Sequence, residues 1–219
     1  MPHSEITLYL SRGVDYLGDL GAKLRDLQGV GALVNELLQN ADDAKATKVI
    51  FDVGDEALYV KNNRPFSACA NIFSDNCSWT ETKGHRCDFH RFRLVASGDK
   101  RLQDNTTGAF GVGFTAVYQI TDQPELISNG QHWIIHEENP ESQRIVRCTG
   151  CALCRGHKPD ETQFIFWWAF DGSTPLRRRL QLPPVGKDQL QEFNSTLVET
   201  LPVAMLFLRH ITQVDILGR

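Results

Sequence analysis

Apolar residues recur at spacings of three and four through Val14, Leu17, Leu20, Leu24 and Leu27, which predicts a helix over 13–28. Gly29-Val30-Gly31 interrupts it, and Leu33, Leu37 and Leu38 carry a second helix over 32–44. The pattern then changes: 48–53 and 57–60 read as strands joined across Gly54-Asp55-Glu56, a hairpin. Residues 61–107 are polar, show only short helical hints and hold three cysteines. A loop of that length in a compact domain is uncommon unless it is functional or metal-bound. Beyond it the pattern predicts a helix over 114–120, strands near 132–136, 143–147 and 162–170, and helices near 187–200 and 202–208. Helices and strands mix without regular βαβ alternation. The expected fold is therefore α+β: a two-layer α/β sandwich with a mixed, mostly antiparallel sheet covered on one face by helices. The final run, 211–217, reads as a strand in need of a neighbour. Residues 1–219 are thus expected to form one domain of a longer protein, with a Cys/His-containing insertion at about 74–95.

Composition narrows the class. With 41% hydrophobic and 23% charged residues, the chain is that of an ordinary globular protein rather than a disordered one. A net charge of -4 makes nucleic acid an unexpected partner for this domain, and Arg177-Arg178-Arg179 reads as a solvated loop. No apolar run of about 18 residues predicts a membrane span. No basic, then apolar, stretch at the start predicts export. The expected location is cytoplasmic, where six cysteines are reduced thiols or metal ligands.

Two segments carry candidate chemistry. In Glu36-Leu-Leu-Gln-Asn40-Ala-Asp-Asp43 the three polar residues are spaced by four and three, on one helix face. A carboxylate there can act as a general base towards water, and a carboxamide oxygen suits Mg2+, a hard cation. The same pattern also fits a plain solvated face. In Gly108-Ala-Phe-Gly111-Val112-Gly113-Phe114, three glycines leave backbone N–H groups unobstructed before a helix, an arrangement that suits an anion or a simple turn. Neither a P-loop nor a dinucleotide fingerprint is present.

Together, Glu36-x-x-x-Asn40-x-x-Asp43-Ala and Gly108-x-Phe-Gly111-Val112-Gly113-Phe114 resemble the GHKL ATPase superfamily, and within its heat-shock-chaperone branch the sacsin-type ATP-binding domains. Ala96-Ser-Gly-Asp-Lys100, Tyr118-Gln-Ile-Thr-Asp122 and the segment around Asn62-Asn63 are similar to the same group. The resemblance implies a Bergerat-type sandwich that binds ATP with Mg2+ and hydrolyses it slowly. A glycine-rich lid would couple nucleotide state to a homodimer or to downstream domains. It implies Glu36 as the water-activating base, Asn40 as the Mg2+ ligand beside Asp43, and Lys100 as a charge at the lid. Gly108, Gly111, Val112, Gly113 and Phe114 would form the phosphate segment, and Thr162 would lie near the adenine. Relatives place an aspartate and glycine in the adenine segment. Here Asn63 stands there, and a neutral acceptor makes a weaker hydrogen bond.

Cys87-x-x-His90 and Cys151-x-x-Cys154 have the short spacing of zinc knuckles. Two such pairs, with Cys77, His85, Cys148 and His157 as alternates, would complete one Zn2+ site stapling the insertion to the later loop. Reduced thiols or an iron–sulfur cluster are the other readings. Cys69 reads as a core residue and His132 as structural. The alternative function is a zinc-stabilised protein-interaction module with a non-hydrolysing nucleotide pocket.

Overall fold

The structure, a computed structural model, describes residues 15–26, 29–97 and 112–218. Its chain order is α1 (Tyr16–Asp26), α2 (Gly29–Asp43), β1 (Lys48–Val53), β2 (Ala57–Asn62), α3 (Ser78–Lys83) and α4 (Asp88–Ser97). A 3₁₀ helix (Val112–Gln119), β3 (Pro124–Ser128), β4 (Gln131–Ile135), β5 (Ile145–Cys148), α5 (Ala152–Gly156) and β6 (Thr162–Trp167) follow. The chain closes with α6 (Pro175–Leu180), α7 (Lys187–Met205) and β7 (Gln213–Gly218).

Among the described residues the strands form one seven-stranded sheet in the order β5-β4-β3-β6-β2-β1-β7. Every pairing is antiparallel except β1 with β7, which runs parallel from Lys48↔Gln213 to Val53↔Gly218. The expected α+β sandwich is the observed fold. Strand alternation builds its two faces. Val49, Phe51 and Val53 of β1, Leu58 and Val60 of β2, Leu126 of β3, and Phe164 and Phe166 of β6 turn inward. They meet Leu33, Val34, Leu37 and Leu38 of α2 in the main core. On the outer face, Ala57, Ile127 and Ile165 make a smaller cluster with Tyr59, Trp167 and Leu153 of α5.

The terminal strand finds its neighbour within the chain, in β1. Asp42, at the end of α2, fixes the approach: its carboxylate accepts N–H bonds from Arg209, His210 and Ile211.

Three expectations are corrected. The long polar segment is not structureless, because α4 buries Phe89 and Phe92 against Phe66 and Trp133. Arg93 donates to the carbonyls of Ile72 and Ser74, which ties the preceding loop to the helix. The two helices expected at 187–208 are one. Pro202 lies in the last turn of α7; it lacks the N–H that would bond to the carbonyl four residues back, yet the helix runs on to Met205. The triple arginine is helical, and Arg177 is 0% exposed. It ion-pairs with Asp122 at 2.7 Å and donates to the Gln119 carbonyl. A charge so buried is tolerated only with such partners.

Candidate functional site

α2 packs against α7 and the 3₁₀ helix, with Leu33, Val34, Leu37 and Leu38 as its anchor. This leaves Glu36 half-buried, Asn40 buried and Asp43 exposed along the remaining face. Burial raises the Glu36 pKa above the usual carboxylate value, and the Asp43 charge adds to it. A carboxyl so placed is a stronger base once ionised than one in free water.

Asn62, Thr162 and Ser128 lie in one row across β2, β6 and β3. Thr162 is fully buried: its hydroxyl donates to the Arg64 carbonyl at 2.6 Å and meets the Ser128 hydroxyl at 2.7 Å. Phe66 N–H donates to that same Ser128 oxygen. The row thus clasps the chain that leaves β2. Asn63 differs from its expected role. Its Oδ1 accepts N–H bonds from Thr47 and Lys48 at 2.9 and 3.1 Å, and its Nδ2 donates to the Thr47 hydroxyl. Both lone pairs are engaged, so none is left for an adenine amino group in this conformation.

Lys100, Gly108 and Gly111 lie outside the described residues. Val112 and Gly113 open the 3₁₀ helix. Phe114 is a core residue, its ring 5.0 Å from Phe92 and 5.5 Å from Phe164, centroid to centroid. Its side chain is therefore committed to packing.

The Cys/His residues form two groups, not one. Cys69, Cys77, Cys87 and His90 gather on the helix side, all buried. His132, Cys148, Cys151 and Cys154 gather beneath α5 on the outer face. In each group the potential ligand atoms lie within 4.8 Å of one another, close enough to hold a metal ion such as Zn2+. The two expected knuckle pairs are thus separated by the sheet. The outer group takes its histidine from β4. Trp133 points inward onto Phe89 of α4, so its neighbour His132 must point outward, towards Cys154.

His85 and His157 belong to neither group. His85 is exposed beside Trp79, and His157 lines a cavity of about 260 Å³ that also borders His132, Cys148 and Cys154. Sequence reasoning missed Cys69 and His132. Their signal was parity: the chain holds three cysteines in 69–87 and three in 148–154, and each trio lacks a fourth ligand.

Charge is distributed unevenly in the outer group. Burial alone would depress the His132 pKa, but the Glu125 carboxylate at 2.7 Å and the two nearby sulfurs raise it to about 9. The Cys154 backbone N–H, then its thiol, hold Cys151 down at about 6.

The model of the family described as "Sacsin domain" matches residues 20–150, more than half of the chain. The chain belongs to the sacsin-domain family. Human sacsin is 35% identical to it over 123 residues, which is 54% of this chain and 2% of the human protein. The chain therefore spans a small fraction of that relative's length. The family match covers the α2 motif, the glycine segment, and six of the eight cysteine and histidine residues in the two groups of this sacsin domain. Among the described residues no helix is long and apolar enough to cross a membrane.

Proposed function

We infer that this sacsin domain binds Mg-ATP and hydrolyses it slowly, on the side of α2 that carries Glu36 and Asn40. One observation carries the reading: α2 buries its leucines and leaves a part-buried carboxylate and a carboxamide one turn apart, within the family-matched region. Asn40 would offer its side-chain oxygen to Mg2+, which neutralises phosphate charge when bound. Glu36, its pKa raised by burial, would take a proton from the attacking water. Backbone N–H groups at Gly108, Gly111 and Gly113 and the charge of Lys100 would hold the phosphates. Hydrolysis asks for little beyond positioning and charge stabilisation, which such a set supplies. Nucleotide state would then bias dimerisation or the docking of other domains.

A second reading has one observation in its favour. With the Asn63 oxygen engaged by Thr47 and Lys48, the adenine segment lacks the charged acceptor of its relatives. The domain would then be an interaction module whose pocket holds nucleotide without turning it over.

Calorimetry with Mg-ATP, and GTP as control, tests the first reading. Saturable, Mg2+-dependent binding is expected, weakened about tenfold or more by Asn40→Ala. Glu36→Ala should keep binding and lose turnover. Binding by the wild type with no phosphate release favours the second reading, and no binding up to millimolar ATP removes the first.

A further inference from the structure

We propose that this chain holds two separate structural zinc ions, one on each face of its sheet. The inner ion is held by Cys69, Cys77, Cys87 and His90, and the outer by His132, Cys148, Cys151 and Cys154. Together the sites use all six cysteines, every one of them a free thiol.

The donor sets fit the metal. Three thiolates and one imidazole are a common structural zinc set, and the soft sulfurs select against Mg2+ and Ca2+. A tetrahedral ion with Zn–S of about 2.3 Å places neighbouring sulfurs about 3.8 Å apart. In the outer group Cys154 lies 3.8 Å from Cys148 and 3.1 Å from Cys151, sulfur to sulfur, and His132 Nδ1 lies 3.2 and 3.6 Å from Cys154 and Cys151. In the inner group His90 Nδ1 lies 3.1 and 3.6 Å from Cys87 and Cys69.

The surroundings orient these donors in the same way twice. His90 Nε2–H donates to the Ser74 carbonyl at 2.9 Å, and His132 Nε2–H to Glu125 at 2.7 Å. Each bond occupies Nε2 and leaves Nδ1 facing the sulfurs, the nitrogen a metal would take once its proton is displaced. Trp167 donates to the other Glu125 oxygen, which holds that carboxylate in place. Cys77 accepts the N–H of Cys87, and Cys151 that of Cys154, both at 3.3 Å, so a sulfur in each group is set by backbone.

A further observation concerns the helices that two of the donors cap. Cys77 and Cys151 are the N-caps of α3 and α5, helices of six and five residues with no buried side chain. Helices so short are unstable alone, and here one part-buried side chain of each, Trp79 of α3 and Leu153 of α5, packs against the apolar clusters. A metal bound at the N-cap cysteine supplies a second anchor in both.

Metal analysis of the protein purified under reductant, by inductively coupled plasma mass spectrometry, tests this. About two zinc ions per chain are expected, falling to about one in Cys148→Ser, at the half-exposed rim of the sheet. Because Cys87 is wholly buried and its replacement risks the fold, the inner site is read from the wild type with Co2+ in place of zinc. The intense visible bands of tetrahedral thiolate-bound cobalt should saturate at two equivalents, and at one in His132→Ala. A zinc content nearer to one or none than to two overturns the proposal. So does iron with acid-labile sulfide, or zinc unchanged in Cys148→Ser. None of these readouts depends on nucleotide.

Discussion

Asp42 accepts from three successive backbone N–H groups, and its role is to hold β7 rather than to meet a ligand. Burial pushes its pKa up, but the N–H groups of His210, Arg209 and Ile211 outweigh that and leave it below the usual carboxylate value. A depressed folded pKa stabilises the fold above the unfolded value and loses the effect as pH falls through the folded one. Asp42→Asn should therefore cost about 2 kcal/mol near neutral pH, the scale of one or two charge-assisted bonds. The deficit should shrink as pH falls below about 3.9, where the unfolded chain takes up the proton, and vanish once pH passes the still lower folded value. Urea unfolding at both pH values measures it. Glu36 has the opposite sign. Its raised pKa makes the ionised form a burden on the fold, fully relieved below about pH 4.3 and felt as pH rises through the folded value. Glu36→Gln should raise the melting temperature near neutral pH, leave it unchanged in acid, and abolish phosphate release. Of these two acids only Glu36 announced itself in the sequence, by its spacing to Asn40. Asp42 was silent because its partners lie more than 160 residues away.

Two glycines measure how helices meet. A Cβ on Gly21 of α1 would stand 2.6 Å from the Leu180 carbonyl at the end of α6, a backbone atom that cannot step aside. On Gly31 of α2 it would meet only Thr200 and Thr196 side chains of α7, at 3.5 and 3.7 Å. Alanine is the better helix former by up to about 1 kcal/mol. Gly31→Ala should therefore stabilise by that order, while Gly21→Ala should destabilise by about 1–3 kcal/mol through overpacking. Thermal melts of the pair would show opposite signs from one chemical change. Elements with a long repeated face, such as α1, α2 and the β1–β2 hairpin, were legible because their pattern is local. α4 was not, since Arg91 and Arg93 interleave with Phe89 and Phe92 inside a polar stretch. Its stability comes from aromatic partners in other elements, Phe66 and Trp133 among them.

At the scale of the molecule, the two Cys/His groups differ in access. The inner four residues are buried, whereas Cys148 and Cys154 of the outer group border an open cavity. A chelator with reductant should remove zinc in two phases. The first, from the outer site, should cost only the small far-ultraviolet circular dichroism signal of α5; the second should coincide with unfolding. The α+β architecture was readable from the mixture of periods along the chain. The place of His132 in the outer group was not, because it depends on which way each residue of β4 faces, and that is settled by pairing with β3 and β5. The same strand has a consequence for folding. A slip of β4 by one residue would carry His132 into the aromatic core and Trp133 out among the sulfurs. A misaligned chain would forfeit a metal ligand and a large buried ring in a single error. Adjacent side chains of such unlike chemistry thus act as a proofreading device, which rejects the wrong alignment twice.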